Sequence, residues 1–395
     1  MQRLRFASLA ICSLLAACTG SMGSEGPSGP EGADGSAGAT GPQGPAGSNS
    51  EGPAIVGAVY VASNDAAHNE VWAFARRADG SLVDPWAFST GGAGTGASLS
   101  DQGSVFIDAS AKQVFVVNAG TNTVAMLAIE ADGSLALVGT PAPSGGVTPV
   151  SVTEHGGIVY VLNAGDASNA PKIAGFTASA NGLASNSVSL GLSTASAASA
   201  AVAQLSFTPD GNHLVATEKG TGEIDTYEVD ASGVATGPHS QLAAGGAGST
   251  PYGFAFDTTD TLLVTEAAGA VSAYKVSDTG ELTATTTSAS THQAAPCWMA
   301  AGNGWGWAIN AGGDSVTGYS VAGDGTIALT APTGVAAGTA NKPLDAALSS
   351  DGAFLYVLDS TDHAISTYEV GASGALTRLP DFLGLPAAAE GIAAD

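Results

Sequence analysis

Short apolar runs recur from about Pro53 to the end of the chain, each followed by a polar turn and an alternating apolar–polar segment. Runs such as Val114-Phe115-Val116-Val117, Ile158-Val159-Tyr160-Val161-Leu162 and Phe354-Leu355-Tyr356-Val357-Leu358 have the length and β-branched content of strands buried on both faces. The alternating segments carry an aromatic residue at their centre in six repeats of seven: Phe74, Phe176, Tyr227, Tyr274, Tyr319 and Tyr368, with Leu127 the exception. Turn signals of the type Ala78-Asp79-Gly80 place glycines at 80, 133, 182, 233, 280, 325 and 374, a repeat of about 49 residues. Seven such repeats, each with several strands, predict an all-β, seven-bladed β-propeller over residues 53–395. The aromatic column is expected to pack between blades.

The two ends of this region complement each other. Ala54-Ile55-Val56 opens on the second-strand pattern, and Ala389 to Ala393 matches only a first-strand pattern. The C-terminal strand is therefore expected to complete the first blade and close the ring, hiding sheet edges that would otherwise pair with other chains.

Ahead of the repeats, glycine stands at every third position from Gly23 to Gly47, with pairs such as Pro-Glu and Pro-Gln between. This is the collagen signature, because only glycine fits the axis of a triple helix. Residues 18–52 thus read as a stalk, either a homotrimer or a single-chain spacer. Residues 1–17 read as a lipoprotein signal peptide. Arg3 and Arg5 form its basic start, the apolar run from Phe6 to Ala17 is too short to span a bilayer, and Leu15-Ala16-Ala17-Cys18 resembles a lipobox. Cys18 is the expected lipidation site, which implies an outer-membrane or cell-surface location through a lipid anchor. Cys12 leaves with the signal, so Cys297 is left without an internal disulfide partner.

Composition narrows the partners. Ten Lys+Arg against 35 Asp+Glu give a formal charge of −25, which excludes a phosphate backbone as ligand. The 55 glycines and only 11% charged residues suit short strands and tight turns, not solvated helices.

Several local motifs resemble the seven-bladed β-propeller lactonases, which include a 6-phosphogluconolactonase branch and a muconate-lactonising branch. They are Val161-Leu162-Asn163-Ala164-Gly165, Phe207-Thr208-Pro209-Asp210-Gly211, Thr250-Pro251-Tyr252-Gly253-Phe254 and Leu348-Ser349-Ser350-Asp351-Gly352. The resemblance covers residues 54–395 and implies lactone-ring chemistry at one mouth of the central channel. It further implies a Glu just after a buried strand, with His and Arg at inner-strand starts. Glu218 matches that Glu, whereas Val202, Ala203, Pro149 and Val150 occupy the His and Arg positions. A phosphorylated lactone would ask for Arg or Lys clamps, and no basic cluster is expected at the channel, so a neutral or cationic ligand is favoured.

The same face should carry Asn64, Asn118, Asn163, Glu218, Glu266, Asn310 and Asp359 at the ends of the buried strands. Glu218 and Glu266 break the Asn/Asp pattern and are the candidate catalytic acids; the others read as turn caps. Gln102, Gln204, Tyr252, Trp298, Asp345 and Glu390, at inner-strand starts, are the candidate ligand-binding residues. His155 and His213 fall at turns on the opposite face and are expected to be solvated. No Gly-x-Ser-x-Gly, His-x-x-x-His or Asp-x-Asp-x-Asp-Gly pattern occurs, so no metal or cofactor is expected. Two functions fit: a non-catalytic head that binds a small or glycan-like ligand, or a lactone hydrolase.

Overall fold

The structure, a computed structural model, describes residues 52–395 except positions 111 and 247. The expected signal peptide, the expected lipidation site Cys18 and the Gly-X-Y run lie outside the described residues. Seven antiparallel sheets of four or five strands follow one another along the chain as blades of a propeller. In blade one the order from the outside is Leu82–Ser89, Glu70–Arg77, Ile55–Ala62 and Glu390–Ala394, so the chain's last strand is innermost. It pairs antiparallel with the first, Tyr60 opposite Ala393 and Val61 opposite Ile392. Blades two to seven begin with inner strands at Val105, Pro149, Val202, Pro251, Pro296 and Pro343.

The second strand of each blade is buried because both faces of its sheet meet a neighbouring blade. Val114, Phe115 and Val116 are fully covered, as are Leu214, Val215 and Ala216. Apolar clusters accordingly cross blade boundaries: Val59, Val61 and Phe74 of blade one pack with Tyr356, Leu358 and Ile365 of blade seven.

Hydrogen bonds from buried side chains fix the angle between blades. Four column tyrosines reach the outer part of the preceding blade. Tyr227, Tyr319 and Tyr368 donate to the carbonyls of Gly191, Ala289 and Gly338, and the Tyr274 hydroxyl accepts from the N–H of Ala244. The repeat's turn glycines serve the same purpose at the other end. The carbonyls of Gly80, Gly233, Gly280, Gly325 and Gly374 accept from Tyr356, Tyr160, Thr226, Thr285 and Trp307, each on the preceding blade. Gly374, at φ +70°, shows why glycine is needed: a Cβ there would lie 2.3 Å from the Trp305 ring.

Arg76 of blade one is buried, donates to the backbone carbonyl of Asp395 at 2.9 Å, and pairs with Asp351 of blade seven at 3.1 Å. One sequence expectation needs amendment. His213 is not solvated. It begins the strand His213–Glu218, and its ring packs against the Gly280 turn of blade five, leaving it 4% exposed. His155 is exposed, as expected.

Candidate functional site

Inner strands start, and second strands end, at one face of the propeller, and their side chains converge there on the channel mouth. Gln204 binds its neighbouring blade: Nε2 donates to the Phe254 carbonyl at 3.0 Å and Oε1 accepts from the Phe254 N–H at 2.6 Å. Gln102 makes the same pair of bonds with Met299, at 2.7 and 3.0 Å. Blades two and six are not neighbours, so these bonds cross the channel.

The segment Ser98–Gln102, which links blade one to blade two, forms a strap over the mouth. Trp298 Nε1 donates to the Asp101 carbonyl at 2.6 Å, and Lys219 Nζ donates to the Ser100 carbonyl. Ser98 Oγ donates to Glu390 Oε1 at 3.1 Å, and the Gln102 N–H donates to the Ala203 carbonyl at 3.1 Å. Blades one, four and six thus all hold the strap. Beneath it Tyr252 and Trp298 meet edge to face with centroids 5.5 Å apart, and Lys219 Nζ stands 4.4 Å from the Tyr252 ring centroid.

Three carboxylates gather at this point. Asp345 is buried, accepts from the N–H groups of Ala346 at 2.8 Å and Ile392 at 3.2 Å, and is pushed up to about 8 by burial. Burial pushes Glu390 up to about 7, against hydrogen bonds from Ser98 and the backbone of Leu99. Burial, then the charges of Glu390 and Asp345, hold Asp101 well above the usual carboxylate range, with Lys219 opposing. Apart from a proton that the two acids can share, neither oxygen of Asp101 has a donor, nor has Glu390 Oε2. A proton shared between Asp101 and Glu390, which lie within hydrogen-bonding reach of each other, lets them coexist. Burial in turn lowers Lys219, countered by Asp101.

All six candidate binding residues, Gln102, Gln204, Tyr252, Trp298, Asp345 and Glu390, are buried at or under the mouth. Glu218 and Glu266 sit elsewhere in the hydrogen-bonding scheme. Glu218 accepts from Ser193 Oγ and Thr221 Oγ1, both at 2.8 Å, and from the Thr194 N–H at 3.2 Å. Glu266 accepts from Ser249 Oγ at 2.7 Å and from Ser272 Oγ. Both therefore hold loops between blades. Asn64, Asn118, Asn163 and Asn310 cap turns in the same way, as in the bond from Asn163 Nδ2 to the Ser144 carbonyl at 3.0 Å. Asp359 is buried there too, and burial pushes it up to about 7.

The family model described as "Lactonase, 7-bladed beta-propeller" matches residues 104–389. The chain belongs to this lactonase propeller family. Among solved structures, a 6-phosphogluconolactonase candidate from Bacteroides fragilis shares 17% identity at a TM-score of 0.67, covering 85% of this chain and 97% of its own. The periplasmic gluconolactonase of Pseudomonas aeruginosa shares 17% identity at 0.64, with 85% and 98% coverage. A functionally unknown protein from Desulfotomaculum acetoxidans shares 12% at 0.64, with 86% and 99% coverage. At these identities the likeness establishes the fold, not the substrate. No curated protein matches the chain. Asp101, Lys219 and the strap are what this lactonase-family propeller adds to the residues expected at the mouth.

Proposed function

We propose that the channel mouth binds a small neutral ligand rich in hydroxyl or lactone oxygens. The propeller that carries it is held at the cell surface by a lipidated Cys18 and a collagen-like stalk, and its ring is closed by the C-terminal strand. The oxygens of Asp101 and Glu390 that have no donor beyond a proton shared between the two acids, beside the ammonium of Lys219, carry the reading. A buried acceptor without a donor costs about 1–3 kcal/mol, which ligand hydroxyls recover. Lys219 offers N–H donors to a ring or carbonyl oxygen, and the Tyr252–Trp298 pair offers an apolar face. Three carboxylates around one ammonium disfavour a phosphate. Entry requires the Ser98–Gln102 strap to lift.

Hydrolysis is the second reading, favoured by family membership and by Glu390 standing near neutrality. Glu390 would take a proton from water as the water oxygen bonds to the lactone carbonyl carbon, and Lys219 would face the developing oxyanion. The acyl–oxygen bond then breaks, the ring oxygen takes a proton, and a hydroxy acid leaves.

A panel of aldonolactones and aliphatic lactones, followed by pH-stat and calorimetry on purified protein, separates the readings. Saturable binding without acid release supports a binding head. Acid release lost in Glu390→Gln supports the hydrolase. Neither binding nor acid release would remove the mouth as a ligand site.

A further inference from the structure

The strap Ser98–Gln102 has no regular secondary structure, and Ser98 and Ser100 are exposed on it. Gly96, at φ +71°, and Gly103, at φ +86°, flank it. Glycine moves freely between this region and others, so both ends can absorb a rotation of the strap. Asp101 lies between these two hinges, yet it is only 2% exposed. It is the strap's one acid, and it is pressed against the acid Glu390 of the innermost strand of blade one.

The two acids are served unequally. Glu390 can carry a charge here, because Ser98 Oγ donates to it at 3.1 Å and the backbone of Leu99 and Ser100 donates as well. Asp101 has no donor at either oxygen beyond the proton it shares with Glu390. That proton therefore belongs on Asp101, whose O–H donates to the Glu390 carboxylate and ties the strap to blade one. Losing it replaces a hydrogen bond by two like charges in contact. The other titratable groups facing Asp101 do not reverse this. Asp345 adds to the repulsion, and Lys219 is a single ammonium set against three carboxylates. Burial pushes the Cys297 thiol up to about 11 and raises Tyr252 above its ordinary value, so both stay neutral while the acids titrate.

We infer that the strap is a proton-operated gate, which covers the channel mouth while Asp101 is protonated and swings towards water when Asp101 ionises. The bonds from Trp298 Nε1 to the Asp101 carbonyl and from the Gln102 N–H to the Ala203 carbonyl involve no titrating group. They set how strongly the strap is held at any pH, and the acid pair sets how that hold changes. The closed state keeps a proton that the open state releases, so closure is favoured at low pH. Each proton released on opening raises the opening constant by up to about tenfold per pH unit. The gate concerns access alone and stands whether the mouth binds its ligand or hydrolyses it.

The test is hydrogen exchange read by mass spectrometry on the purified protein at pH 5.5 and 8.5, either side of the value of about 7 to which burial pushes Glu390. Rates are divided by the intrinsic amide rate at each pH. A peptide spanning the strap is compared with one from the buried strand Ile158–Asn163, where exchange reports global unfolding. Strap protection should lie well below that of the strand at both pH values and fall at least about tenfold at the higher one. In Asp101→Asn, whose side chain cannot ionise and offers Glu390 an N–H, strap protection should change by less than about twofold. Glu390→Gln, which also removes the pair of like charges, should show the same flattening, so either variant decides if the other does not fold. The proposal is overturned by wild-type strap protection that does not change with pH, or by an equal fall in both variants. Strap protection as high as that of the strand would also overturn it, because the strap would then open only with the whole protein.

Discussion

Gln102 and Met299, 197 residues apart, hold each other across the propeller channel through both polar ends of the glutamine amide. The contact shuts the mouth and anchors the strap Ser98–Gln102 to blade six. Gln102→Ala leaves the buried N–H and carbonyl of Met299 without these partners, at about 1–3 kcal/mol each for groups that water cannot reach. The strap should then open more often. Cys297, buried next to Trp298 and the free cysteine of the described residues, reports on it. Its labelling by a thiol reagent should speed up several-fold in Gln102→Ala, at a protein concentration and pH where the wild type labels slowly. Unchanged labelling would show that the strap is held without Gln102.

The junction between blades seven and one predicts a larger effect. Tyr356 donates to the Gly80 carbonyl at 3.0 Å, Arg76 bridges to Asp351 and the Asp395 backbone, and Glu390–Ala394 forms the innermost strand of blade one. Deleting Ala387 to Asp395 removes that strand and exposes the edge of Ile55–Ala62. It should abolish cooperative unfolding or lower Tm by far more than trimming a frayed terminus does. Scanning calorimetry checks it, and an unchanged Tm would sink the role of this strand in closing the ring.

The fold was legible because its determinants repeat. The turn glycines, the buried runs and the aromatic column each recur about every 49 residues, and propeller blades demand little else. The site was legible only in part. Gln102, Tyr252, Trp298, Asp345 and Glu390 could be placed at the mouth by counting along inner strands. What they bond to could not, because Gln102–Met299 is a contact between blades that no local pattern encodes. Asp101 and Lys219 did leave a trace. The residue after the buried strand is Ala119, Ala164, Ala267 or Ala311 in four other blades, so Lys219 stands out. The residue before each candidate inner-strand position is Ala203, Pro251, Cys297, Leu344 or Ala389, and Asp101 is the exception. His213 misled because its turn position suggested solvent, whereas blade five covers it.

Glu218 and Glu266 offer a direct test of whether an acid at a strand end is chemical or structural. Each accepts from two or more hydroxyl or amide donors, among them Ser193 and Thr194 for Glu218 and Ser249 for Glu266 in loops between blades. Replacement by Gln keeps shape but turns one acceptor oxygen into a donor facing those hydroxyls. Glu218→Gln and Glu266→Gln should each cost about 1–2 kcal/mol of stability while leaving ligand affinity or turnover within about twofold. Glu390→Gln should do the reverse to function. A loss of turnover of 10²-fold or more in Glu218→Gln, at unchanged stability, would restore Glu218 as a catalytic group.

The mouth carboxylates also make stability depend on pH, with a sign that can be worked out. Burial pushes Glu390 up to about 7 from 4.5, and Asp345 up to about 8 from 3.8. Between those limits the native protein holds protons that the unfolded chain has released. The contribution is fully present below the unfolded values and is lost as pH rises through the folded ones, so stability falls from about pH 5 to pH 8. Each such group tilts the curve by up to ~1.4 kcal/mol per pH unit. The rest of this acidic chain adds its own slope, which a variant cancels. Glu390→Gln removes one titrating group and leaves the others, so its Tm should decline less steeply between pH 5 and 7 than that of the wild type. Calorimetry at pH 5, 6, 7 and 8 on both proteins makes the comparison. Parallel curves would mean that Glu390 is already ionised in the native state at pH 5. It would then lack the raised proton affinity that favours it as a base near neutrality.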